Sequence, residues 1–166
     1  MLRVVTVIAF MLSPLLVPAQ PNLAGHWTLD AAKSTTNGAP LPIDASYAIA
    51  LHGDTLIVDR HTNSHSGVLD NHFIMLPTGV PVANTLAVLA AQGDGAPERE
   101  EMSATITARW AHDTLVSTIN ADMHDNALVL TARWSLSADG MTLTEERDGT
   151  MNGTSNGSQV LVFRKK

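Results

Sequence analysis

Alternating apolar and polar side chains are the feature that most constrains the fold of this chain. The pattern is clearest over Ala127–Leu136, where every second residue from Leu128 onwards is apolar. Because successive side chains of a β-strand point to opposite faces, this period of two predicts a strand with one buried face. Seven further segments are predicted as strands: Ser46–His52, Thr55–Arg60, Asp70–Leu76, Thr105–Ala111, Leu115–Asn120, Met141–Arg147 and Val160–Arg164.

Short turn motifs separate these segments and predict how the strands are connected. Examples are Gly53-Asp54, His112-Asp113 and Ala138-Asp139-Gly140, and such residues favour tight hairpins. Strands joined by connections this short are usually neighbours in a sheet. The sequence therefore predicts an all-β protein, an antiparallel up-and-down (meander) β-barrel of eight or nine strands.

One stretch departs from the strand pattern. Asn84–Gln92 begins with a capping residue, continues with helix-forming Ala and Leu, and is followed by Gly93 as a stop signal. It is compatible with a short helix of two turns near residues 84–92. The acidic segment Gly93–Glu101 that follows is predicted to be a loop.

The N-terminal segment Met1–Ala19 has the features of a secretory signal peptide. Arg3 precedes an apolar run, and Val17 and Ala19 suit the positions before a signal-peptidase cleavage site. The run is shorter than the roughly 20 apolar residues that a membrane span needs. The sequence predicts a single domain over residues 20–166, secreted or periplasmic, with no stable membrane insertion after cleavage.

Composition excludes several functional classes. The 166 residues contain no cysteine, which excludes a disulfide framework, a thiol nucleophile and a cysteine-based zinc site. The formal net charge of −6 argues against nucleic acid as a partner, because its binders usually carry a basic surface. His112, Asp113 and Ser117 supply the residue types of a catalytic triad, but all three fall in one predicted hairpin. No cofactor is indicated, and a non-enzymatic role is favoured.

Close to the predicted mature N-terminus the sequence reads Asn22-Leu23-Ala24-Gly25-His26-Trp27-Thr28-Leu29-Asp30, followed by Lys33-Ser34. This opening resembles that of a family of small exported bacterial lipocalin-like (calycin-type) β-barrel proteins of largely undefined function. The resemblance extends to the hairpin segments Trp110–Leu115 and Trp134–Thr144 and to the basic strand Val160–Lys166. The resemblance implies that Trp27 closes one end of the barrel beneath Arg164. A guanidinium on an indole would contribute a cation–π energy of about 1 kcal/mol.

The barrel interior is the main candidate for a binding site. A barrel of eight strands is just wide enough either to pack solid or to hold one small ligand. The chain has only three Trp, one Tyr and three Phe, so bulky fillers are scarce. The side chains expected to line a cavity are Trp110, Leu128, Leu130 and Trp134. Glu145 continues the apolar phase of Leu143 and would point inwards, either to contact a ligand or to pair with an inward Arg147.

Three histidines are candidate metal ligands. His61, His65 and His72 follow the spacing H-x3-H-x6-H, and imidazole is a common ligand of zinc and copper. The residues between them include Asn63, Ser66 and Gly67 and predict a turn, so the alternative is that these are surface histidines. A metal site would require the three rings to converge in space.

These observations predict an exported, non-enzymatic binding protein that holds a small apolar or amphipathic ligand in the barrel or at its mouth, with Asn84–Gln92 as a lid. The alternative is a secreted or periplasmic protein-interaction module that acts through its loops, at Gly93–Glu101 or His61–His72. A metal-binding role for the turn histidines is the third hypothesis. The sequence leaves open whether the barrel is hollow or packed.

Overall fold

The computed structural model describes residues 20–38, 40–90, 97–123 and 126–166, so the predicted signal peptide lies outside the described residues. The described residues form eleven β-strands and one short 3-10 helix, Ala31–Lys33. None of the helical structure in these ranges has the length and apolarity that a membrane crossing requires. The strands are β1 (Gly25–Leu29), β2 (Thr35–Asn37), β3 (Asp44–His52), β4 (Thr55–Ser64), β5 (Gly67–Met75), β6 (Val82–Ala90), β7 (Glu98–Ala111), β8 (Thr114–Met123), β9 (Asn126–Leu136), β10 (Thr142–Met151) and β11 (Thr154–Lys165).

The sheet confirms an all-β, antiparallel, up-and-down architecture that forms a nearly closed barrel. Ten strands follow one another in the order β5-β4-β3-β1-β11-β10-β9-β8-β7-β6, and β2 pairs with β11 beside β1. The predicted strand number of eight or nine is wrong. Each of the eight predicted segments overlaps a strand, and β1, β2 and β6 are additional.

The segment Asn84–Gln92 is the clearest correction, because its described part belongs to strand β6 instead of a helix. Leu86 pairs with Met102 and Val88 with Glu100 in an antiparallel ladder with β7. This ladder supplies hydrogen bonds and buried contacts along the strand, which override the helix preference of Ala and Leu. The prediction of a loop over the acidic segment Gly93–Glu101 is corrected in part, because β7 begins at Glu98. The first residues of that segment, and Gln92 before it, lie outside the described ranges.

Two asparagine side chains join β5 and β6, the two ends of the sheet. On β6, the side-chain amide of Asn84 accepts a hydrogen bond from Ile74 N at 2.8 Å and donates one to Ile74 O at 3.1 Å. On β5, Asn71 makes the same pair of bonds with Ala87, at 2.7 and 3.1 Å. Each amide takes the place of a peptide group that a neighbouring strand would supply. The barrel is thus nearly closed, although the described residues form no backbone ladder between β5 and β6.

One end of the barrel is packed around Trp27. This side chain is fully buried, and its Nε1 donates to Leu23 O at 3.0 Å. The cation over its ring is Lys165, whose Nζ lies 5.2 Å from the ring centroid, and not the expected Arg164. Alternation along β11 places Arg164 on the outer face, where its Nε donates to Asp30 Oδ2 at 2.6 Å. Arg164 and Lys165 are adjacent in β11 and so point to opposite faces, and it is Lys165 that faces Trp27.

Candidate functional site

The barrel interior contains a cavity of about 300 Å³. Its lining reaches Ser64 at the end of β4, Val88 near the end of β6 and Leu128 near the start of β9. The cavity therefore extends towards the end of the barrel that lies away from Trp27. Pro40 and Pro42, which precede β3, border it on one side.

A row of small side chains across three strands makes room for this cavity. Ala132 on β9 pairs with Ser117 on β8, and Ser117 pairs with Ala108 on β7. Ser117 and Ala132 both line the cavity, and none of the three side chains projects far from the backbone. The Ser117 hydroxyl accepts a hydrogen bond from Trp134 Nε1 at 3.2 Å, which holds the indole against the wall. Small residues in register, together with few aromatic fillers, explain the hollow interior.

The cavity wall is divided into an apolar and a polar part. The strands β5 to β9 contribute apolar side chains, among them Leu69, Phe73, Leu86, Ile119, Leu128 and Leu130. Two polar side chains on this side are engaged: Ser117 with Trp134, and Asn71 with the backbone of β6. The strands β3, β4, β10 and β11 contribute Tyr47, Arg60, Thr62, Ser64, Glu145, Arg147 and Gln159. A molecule in the cavity would therefore contact an apolar surface on one side and a charged one on the other.

A carboxylate lies at the centre of the polar part. Glu145 is 1% exposed, and its Oε2 accepts a hydrogen bond from the Tyr47 hydroxyl at 2.9 Å. The same oxygen lies 3.8 Å from Arg147 Nε. Burial raises the pKa of Tyr47 above its usual range, so the hydroxyl remains a hydrogen-bond donor. Arg147 in turn donates through Nη2 to Gln159 Oε1.

A second arginine lies on the other side of Tyr47. The Arg60 guanidinium is 5.5 Å from the centroid of the Tyr47 ring, and its Nε donates to Thr62 Oγ1 at 3.1 Å. Burial lowers the pKa of the Arg147 guanidinium, and the positive charge of Arg60 lowers it further. The polar part therefore contains two arginines and one carboxylate.

Four of the five residues expected to line the interior do so, namely Leu128, Leu130, Trp134 and Glu145. Trp110 does not border the cavity and instead packs, half-buried, against the core. It lies in the same row as Trp134, because Leu115 pairs with both tryptophans. Trp110 thus fills the packed part of the barrel.

Sequence reasoning missed Arg60, Tyr47 and Gln159 as members of this site. A signal was available for Arg60, because it follows Leu56 and Val58 at two-residue spacing and so shares their inward phase. The same alternation predicts that Glu145 and Arg147 point into the barrel.

The three histidine candidates lie on or near the outer face of β4 and β5, and two of them pair with aspartates. His61 Nδ1 is 2.7 Å from Asp70 Oδ1, and His72 Nδ1 is 2.7 Å from Asp59 Oδ1. Both contacts join residues directly opposite each other in the ladder, while His65 is exposed in the turn. Among the described residues, no three His, Cys, Asp or Glu side chains are grouped so as to hold a metal ion.

The sequence Gly153-Thr154-Ser155-Asn156-Gly157 matches the pattern G-x-S-x-G of hydrolase nucleophiles. That motif requires a sharp turn from a strand into a helix. Here Gly153 lies in the turn between β10 and β11, and the other four residues begin strand β11, not a helix. Ser155 Oγ accepts a hydrogen bond from Gly157 N at 3.2 Å, which is a local contact within that strand.

Comparison with known proteins adds no assignment to this geometry. No protein-family model matches the chain, and no curated protein matches it either. Function is therefore inferred from the barrel and from the chemistry of its cavity.

Proposed function

We propose that this chain is a lipocalin-like, non-enzymatic binding protein that holds one small apolar or amphipathic molecule inside its barrel. The observation that carries the proposal is the cavity of about 300 Å³ with an apolar wall formed by β5 to β9. Binding cavities for small molecules are mostly apolar with a few polar groups that fix orientation. The divided lining of this barrel has that character.

The test uses the mature domain refolded from denaturant, so that it starts free of bound molecules. Isothermal titration with octanol, a neutral amphipathic probe, is expected to show saturable binding of one molecule per chain. Native mass spectrometry of protein purified without unfolding shows whether a molecule of the source co-purifies. Absence of saturable binding by octanol and by its charged eight-carbon analogues would refute the proposal.

Two variants in which phenylalanine replaces alanine test where octanol binds. Ala132→Phe places a large side chain in the cavity wall and is expected to abolish octanol binding, at a stability cost of about 1–3 kcal/mol for overpacking. Ala50→Phe adds the same side chain on the same kind of strand, but at an exposed position, and should bind octanol as the wild type does. Equal binding by both variants would place the ligand outside the cavity.

We also propose that the protein is exported, with cleavage after Ala19. The support is the charged residue, apolar run and cleavage-site pattern of the first 19 residues. N-terminal sequencing of the protein recovered from the culture medium or periplasm should begin at Gln20. Recovery of a protein that still carries Met1–Ala19 would contradict this.

A further inference from the structure

The charges inside the barrel do not balance. Of the residues that line the cavity in the described part of the chain, only Arg60, Glu145 and Arg147 are charged. Their formal sum is one positive charge, inside a protein whose total formal charge is −6. The Arg147 side chain is 11% exposed and Arg60 is partly buried. Burying a charge is costly, and a bound group of opposite sign offsets that cost.

The single carboxylate is already committed to two partners. Glu145 Oε2 accepts a hydrogen bond from the Tyr47 hydroxyl at 2.9 Å and also lies 3.8 Å from Arg147 Nε. Among the described residues, no acidic side chain lies within 4.0 Å of Arg60, and its Nε donates a hydrogen bond to Thr62 Oγ1. Both terminal nitrogens of Arg60 therefore remain as donors without a partner in that part of the chain. A guanidinium with two such donors matches the geometry of a carboxylate.

We infer that the ligand of this barrel is an amphipathic monoanion, an alkyl carboxylate whose acid group contacts Arg60 and Arg147. The inference rests on the proposed function and narrows it to one class of ligand. The carboxylate would contribute the missing negative charge, while the alkyl chain would lie along Leu69, Phe73 and Leu128 on the opposite wall.

Cavity size guides the choice of probe. A cavity of about 300 Å³ is at the lower end of the range found for small-molecule sites, so a short alkyl chain is appropriate. Octanoate supplies such a chain with an anionic head. Octanol and octylammonium have the same number of carbons with a neutral and a cationic head, and they complete a matched set of probes.

The experiment compares the three probes on the wild-type domain by isothermal titration at pH 7 and low ionic strength. Octanoate is expected to bind at least about tenfold more tightly than octanol, because hydrogen bonds between charged groups are roughly twice as strong as neutral ones. Octylammonium should show no saturable binding. Equal affinities of octanoate and octanol would overturn this inference and leave the proposed function standing. No binding of any probe would refute both.

A charge-matched pair of variants then assigns the preference to the site. Arg60→Gln should reduce octanoate affinity to the level of octanol, while octanol affinity stays within about twofold, since burial of its alkyl chain supplies most of its binding energy. Arg133→Gln removes the same charge from β9, where the side chain is 48% exposed and pairs with Asp148, and should leave the preference unchanged. An equal effect of both variants would mean that the overall charge of the protein, and not the cavity, selects the anion. The comparison of probes on the wild type decides the inference even if Arg60→Gln does not fold.

Discussion

Replacing Asn84 by alanine is the most direct test of how this barrel is closed. The Asn84 side chain makes three hydrogen bonds: two with the backbone of Ile74 on β5, and one from Nδ2 to Val82 O at 3.1 Å. The two bonds with Ile74 cross the gap between β5 and β6, where the described residues have no backbone ladder. Alanine removes both and leaves the N–H and C=O of Ile74 without their partner.

The expected loss follows from these bonds. A hydrogen bond contributes about 1 kcal/mol net to stability, so the two bonds across the gap correspond to about 2 kcal/mol. Urea unfolding monitored by tryptophan fluorescence measures the loss. Asn84 is half-buried, so water replaces part of the lost hydrogen bonding. The m-value should remain unchanged, because the substitution hardly alters the surface exposed on unfolding.

Amide hydrogen exchange gives a local readout that a general destabilisation would not give. In Asn84→Ala, the amide of Ile74 should exchange faster than the change in global stability requires, while the amide of Ala87, held by Asn71 at 2.7 Å, should keep more of its protection. Thr85→Ala is the matched control, since Thr85 is the exposed neighbour on the same strand. If both variants unfold at the same urea concentration and Ile74 keeps its protection, the asparagines do not hold the gap closed.

Three further substitutions test the remaining parts of the structure. Tyr47→Phe removes a donor to a buried carboxylate and should lower the free energy of unfolding by about 1–3 kcal/mol; a loss below about 0.5 kcal/mol would contradict the bond. Trp27→Ala should cost about 3–5 kcal/mol, against much less for Leu51→Ala, because Leu51 is 48% exposed; similar losses would be inconsistent with a packed end. The hydrogen bond with Arg164 holds the pKa of Asp30 below 3.8, so this contact stabilises the fold above that pH and is lost as the pH falls through the lowered pKa. In Arg164→Gln, an NMR titration should show the Asp30 pKa rising towards 3.8, and an unchanged value would refute the coupling.

The strands that sequence predicts best are those whose fold is encoded locally. Over Ala127–Leu136 the side-chain period alone indicates a strand and its buried face, and the structure places β9 there. Strand β2 is different, because it has only three residues and pairs with Ser158–Val160 of β11. Its existence depends on a partner more than 120 residues away along the chain, and no local pattern records that.

Asn84 shows why the prediction for β6 was wrong. An asparagine before a run of Ala and Leu resembles a helix N-cap, because its side-chain amide can satisfy free backbone groups. In the barrel the same amide satisfies free backbone groups too, but those of Ile74 on another strand. The residue type therefore identified the chemistry correctly, and only the identity of the partner, which tertiary structure decides, was missing.

The sequence predicts which charged side chains of the site point into the barrel, but it does not predict which of them contact one another. Alternation alone places Glu145, Arg147 and Arg60 on inward faces, since each continues an apolar phase of its strand. Their convergence depends on Tyr47, which donates a hydrogen bond to Glu145, 98 positions away in the sequence. The registers of two separate hairpins bring these two residues together. A charged residue that keeps the inward phase of a barrel strand is costly unless the interior compensates it. Two such arginines against one carboxylate are therefore the strongest sign in the sequence of where the proposed ligand site would lie.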